Sequence, residues 1–104
     1  MHKRRLGLEF IVIAHDGSDE QALERRLAVR ESHLEYASIM FESGKWLFAS
    51  ALLDEKGNMN GSVIVCDFPS QKELEEEWLN KEPYVLGKVW EDITIRKAKI
   101  AQHN

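Results

Sequence analysis

KWLFASALL, residues 45–53, is the stretch that most restricts what this chain can fold into. Read as a strand, it sets Trp46, Phe48 and Leu52 on one side and Leu47, Ala49, Ala51 and Leu53 on the other, so both sides are apolar. Such a strand needs a sheet covered on both faces. Helices of the same chain supply one cover. From about Glu20 to Ser43 the residues favour helix, with Leu23, Leu27, Leu34 and Phe41 recurring at spacings of four and seven, and Gly44 stands where helices stop. A capping box, Ser70 with Glu73 three residues on, opens a second helix to about Asn80 with Leu74 and Trp78 inward.

Three more strands complete the pattern. Gly7 to His15 is β-branched and apolar and ends at Asp16-Gly17-Ser18, a loop signal. SVIVCDF follows a turn-rich link over residues 54–61, so strands two and three form a hairpin, and the Asn60-Gly61-Ser62 sequon reads as part of a turn. Pro83 closes the second helix, residues 85–96 give the last strand, and 97–104 is a charged, frayed tail. The order β-α-β-β-α-β is that of a ferredoxin-like α+β sandwich, an antiparallel sheet with both helices on one face. Strand one repeats the demand of strand two, with Leu8, Phe10, Val12 and Ala14 on one side and Ile11 and Ile13 on the other. The simplest second cover is another copy of the chain, so the other sheet face is expected to be buried in a homodimer; assembly beyond the dimer stays open.

Size and composition narrow the function. The 104 residues make one domain, 1–104, and 43% hydrophobic with 31% charged residues is an ordinary globular balance. The longest strongly apolar run, Phe10 to Ala14, is far shorter than the roughly 20 residues of a membrane span. MHKRRLG lacks a small-residue cleavage site, so no secretory signal is expected, and a lone Cys66 fits a reducing cytoplasm. The net charge is −4 and the only basic cluster is Lys3-Arg4-Arg5, which argues against nucleic acid as partner. No metal-ligand spacing, P-loop or dinucleotide glycine fingerprint occurs, so neither metal nor cofactor is expected.

RESHLEY, residues 30–36, carries the chemistry. On a helix, Arg30 falls inside the stripe of Leu27, Leu34 and Phe41, while Arg26 and His33 border it. An arginine aimed at a core needs a carboxylate, since an unpaired buried charge costs several kcal/mol. Asp16, at the end of strand one, and Glu82, before Pro83, can both approach helix one in this fold and meet Arg30 or His33. A carboxylate on one ring nitrogen fixes the tautomer and leaves the other nitrogen for acid-base work. The plain alternative is a structural ion-pair network. His2, His15 and His103 read as incidental, Cys66 as a small buried hydrophobe, and Trp46, Phe48, Trp78 and Trp90 as core or interface, a subset able to wall an apolar pocket.

These residues resemble the YciI-like (YCII-related) family. RLAVRESHL, residues 26–34, is similar to that family's R-L-x-x-R-x-x-H-L segment, Gly61-Ser62-Val63-Ile64-Val65 to its G-S hairpin strand, and EPYVLGKVWEDITIRK, residues 82–97, to its D-P-Y ending. The resemblance implies a dimeric ferredoxin-like protein similar to muconolactone isomerase, with a site centred on His33 and an acid, the strand-one acid matching Asp16. Relatives often carry Pro in place of Glu31, which implies a restart of the helix there. The family's acid before P-Y is Glu82 here, one methylene longer. The resulting expectation is a cofactor-free isomerase or lyase: His33 as general base or acid, Asp16 orienting it, Arg30 holding an anionic substrate, Glu82 and Tyr84 lining the rim. The alternative is a non-catalytic dimeric module that binds a small ligand or a protein through the same cleft.

Overall fold

A computed structural model describes residues 8–101. The expected Gly7 start of strand one, the Lys3-Arg4-Arg5 cluster, His2 and His103 lie outside the described residues. The elements run β1 (Leu8–Asp16), α1 (Ala22–Glu42), β2 (Trp46–Leu53), β3 (Met59–Phe68), α2 (Gln71–Glu77), a 3-10 turn (Leu79–Lys81), α3 (Pro83–Leu86) and β4 (Trp90–Ala98). The strands pair antiparallel in the order β2-β3-β1-β4, which is the ferredoxin-like arrangement. Phe10, Val12 and Ala14 of β1 and Ile64, Cys66 and Phe68 of β3 alternate onto one face, where they pack with Ala37 and Met40 of α1, Leu74 of α2 and Trp78 at the C-cap of α2. Burial there pushes the Cys66 thiol up to about 12, which leaves it inert.

Local signals set several boundaries. Ser70 Oγ accepts the Glu73 N–H and caps α2, and Gly44, at φ 79, ends α1 with its N–H on Phe41 O. The β2–β3 turn is built at residues 54–58, where Asp54 Oδ1 accepts the N–H groups of Lys56 and Asn58. The sequon therefore lies inside β3 and not in the turn. Gly61 is needed there because a Cβ would stand 2.6 Å from Ala14 O of the neighbouring strand.

Five expectations need correction. The inward line of α1 is Ala22, Arg26, His33, Ala37 and Met40, whereas Leu27, Leu34 and Phe41 are exposed, so the helix is turned by about a quarter turn from the leucine stripe. Two buried carboxylates under α1 take up Arg26 and His33, and the small Ala37 lets the helix approach the sheet. The helix also runs unbroken through Glu31 for 21 residues. In β2 a register shift between Trp46 and Phe48 puts them on opposite faces: Trp46 pairs with Cys66 on the helix side and Phe48 with Val65 on the open side. Pro83 ends no helix into a strand. It is the first residue of α3, where its missing N–H costs nothing, and β4 starts only at Trp90. Lys97 and Ala98 belong to β4 and not to a tail, and the Ile100 N–H reaches Glu9 Oε1 at 2.6 Å.

Candidate active site

Between α1 and the β2–β3 edge the fold leaves a cleft of about 260 Å³. Its walls are Leu34, Ala37 and Phe41 of α1, Trp46, Ala49 and Ala51 of β2, Met59 and Ile64 of β3, and Tyr84 of α3. The side chains of Arg26, Arg30 and His33 line it as basic groups, and no carboxylate does. The acids stand behind them.

Glu82 is placed by its neighbour in sequence. A residue before proline is held extended, and Glu82 has φ −63 and ψ 126, which makes it the N-cap of α3. Its buried carboxyl gathers three N–H groups: Tyr84 N at 3.0 Å and His33 Nδ1 at 2.7 Å on Oε2, and Trp78 Nε1 at 2.9 Å on Oε1. Two of these donors are fixed as N–H, so the network assigns a proton to His33 Nδ1, and in the neutral ring the lone pair is then on Nε2. The imidazole also stacks on the Tyr84 ring, with centroids 3.9 Å apart and planes 14° apart. Oriented by a carboxylate and a ring face, His33 has one nitrogen for acid-base work.

Asp16 does not meet His33. It sits at the β-bulge where β1 shifts register against β4, and its side chain, 2% exposed, accepts Arg26 Nη1 at 2.9 and 3.0 Å. Arg26 Nη2 donates to Ser62 Oγ at 2.9 Å, and the guanidinium lies 4.5 Å from the Tyr84 ring centre. Burial raises the Asp16 carboxyl above its ordinary value against the pull of the Arg26 hydrogen bond. Burial likewise raises the Tyr84 phenol, with Arg26 and Arg30 opposing.

The structure thus brings His33, Glu82 and Tyr84 together and sets Asp16 one pair away. Arg30 is exposed at the cleft mouth, not in the core, and has no ion pair among the described residues. Arg26, Ser62 and Trp78 were missed as site residues. Arg26 had a signal, because it stands seven residues before His33 on one helix face. Ser62 and Trp78 act through contacts across 36 and four positions of chain that no spacing rule marks. Among the described residues no group of three or more His, Cys, Asp or Glu could hold a metal ion. No helix there is long and apolar enough to cross a membrane.

Comparison with known proteins agrees with this architecture. A family described as the YCII-related domain matches residues 9–99. Protein YciI of Escherichia coli O6:H1 is 28% identical over 96 residues, covering 86% of this chain and 95% of that protein. An uncharacterized protein of Haemophilus influenzae has the same identity and coverage. Among solved structures, 5-chloro-2-hydroxyhydroquinone dehydrochlorinase from Burkholderia phenoliruptrix AC1100, in complex with 2,5-dihydroxybenzoquinone, superposes with a TM-score of 0.77 at 19% identity, over 93% of this chain and 99% of that one.

Proposed function

Because the chain belongs to the YCII-related domain family, we propose that it is a small-molecule enzyme that moves a proton on a small anionic ring without a cofactor, by isomerisation or elimination. The observation that carries this is the buried His33–Glu82 pair at 2.7 Å, set in an apolar cleft whose only lining charges are bases. His33 Nε2 takes a proton from a ring carbon or hydroxyl, Glu82 stabilises the imidazolium, and the same nitrogen returns the proton or gives it up as an acidic leaving group departs. Arg30 at the mouth holds the anionic group, and the Tyr84 ring keeps the imidazole in plane. The fold shared with a dehydrochlorinase of a chlorinated hydroxyhydroquinone supports a ring of that size. A panel of hydroxylated and chlorinated aromatic rings in deuterated buffer tests it by deuterium uptake and chloride release. At least one compound is expected to react, and His33→Ala is expected to slow it by about a hundredfold or more. Ligand binding with no reaction across the panel would favour the binding-module reading.

The working unit in this proposal is a homodimer. The sheet face away from the helices carries Ile11, Ile13, Val63, Val65, Leu52 and Phe48, the last 62% exposed, which is an unpartnered apolar surface. Light scattering should give twice the chain mass for the wild type and one chain mass for Phe48→Glu.

A further inference from the structure

We propose that Ser62, at the floor of the cleft, donates a hydrogen bond to an acceptor oxygen on the ligand, so that the substrate carries a carbonyl or ring oxygen at a distance from its anionic group; this rests on the ring-binding reading above. Ser62 is 3% exposed and lines the cleft. Its oxygen already accepts two N–H groups, Arg26 Nη2 at 2.9 Å and Trp90 Nε1 at 3.3 Å. A hydroxyl has two acceptor directions and one proton, so with both acceptor directions used the O–H is left as a donor. That O–H has no acceptor among the described residues, and the cleft lies in front of it. A second buried N–H of the same wall, Arg26 Nε, also lacks an acceptor among the described residues. A wall of donors without acceptors selects a ligand rich in acceptors, since each buried donor left unpaired costs free energy. Arg30, exposed at the mouth, takes the anionic end, so the two contacts sort ligands by the separation of charge and carbonyl.

The test is a matched probe pair. 4-Acetylbenzoate and 4-isopropylbenzoate have the same carboxylate and nearly the same shape, but only the first offers an acceptor oxygen opposite the charge. Binding is read from the fluorescence of Trp46 and its neighbours in wild type, Ser62→Ala and Ser62→Thr. An apolar cleft with no donor would prefer the isopropyl compound. A donating Ser62 makes the acetyl compound about tenfold tighter in wild type and in the threonine variant, and Ser62→Ala brings the ratio to one or below. Equal binding of the two probes to wild type overturns the donor role while leaving the anionic-ring reading intact, and needs no variant to fold. Binding of neither probe overturns the ring-binding reading and this inference with it.

Discussion

Arg26→Met is expected to lower the stability to unfolding by about 3–5 kcal/mol at pH 7, read from urea denaturation, because it leaves a buried carboxylate without its partner. Methionine keeps the length and the apolar stem, so lost packing is a minor part. What remains is Asp16 at 2% side-chain exposure, a Ser62 with one donor gone, and a Tyr84 ring without its cation. The loss must also depend on pH in one direction. Burial already raises the Asp16 carboxyl above its ordinary 3.8, so the folded protein holds that proton more tightly than the unfolded chain does. Stability therefore falls as pH rises through a window that starts near 3.8 and ends at the folded-state titration. The causes that lower Asp16 begin with the Arg26 hydrogen bond and charge, and deleting them moves the upper end of the window higher. The deficit of Arg26→Met is thus greatest at neutral pH and shrinks on acidification. Arg26→Met with Asp16→Leu should recover much of it, since neutral apolar groups replace a buried pair at little cost. A loss below about 1 kcal/mol, or one that grows in acid, would show that the pair is solvated and carries little stability.

The same pair shows where the sequence was legible and where it was not. Strand alternation and the Ser70 cap are local properties, so β1, β3, α2 and the order of elements could be read from neighbours along the chain. The phase of α1 could not. Its leucines mark a stripe, but the helix turns by what lies beneath it, and two carboxylates from the distant ends of the fold bind Arg26 and His33 more strongly than solvent repels Leu27. That rotation also explains why Arg30 was placed in the core and Arg26 at its border. The sequence marks both acids near helix one, Asp16 and Glu82, and does not show which of them meets His33. The choice depends on a β-bulge at His15–Asp16 and on the pre-proline geometry at Glu82. The first is a register detail set across strands. The second is present in the Glu-Pro dipeptide, since a proline after a helix can open a new short helix as well as stop the old one.

Glu82→Ala is expected to cost about 3–5 kcal/mol, because it strands the buried Trp78, Tyr84 and His33 N–H groups together without their common acceptor. Glu82→Gln separates charge from shape. Its amide keeps one carbonyl oxygen but turns an NH2 toward either the Trp78 indole or the His33 and Tyr84 side, so one donor faces another whichever way it flips. A loss of about 1–3 kcal/mol follows, smaller than for alanine. The informative readout is the imidazole itself. In wild type the nitrogen shifts of His33 should report a proton on Nδ1 and a lone pair on Nε2. With glutamine the Nδ1 proton loses its carboxylate, and the ring should move toward a mixture of tautomers. Asp16→Asn should leave the His33 tautomer where it is, because Asp16 is bound to Arg26. The reverse pattern, with His33 answering to Asp16 and ignoring Glu82, would exchange the roles of the two acids. A tautomer unmoved by either change would mean that Tyr84 stacking and the helix backbone alone hold the ring, and that the carboxylate serves stability and not proton transfer.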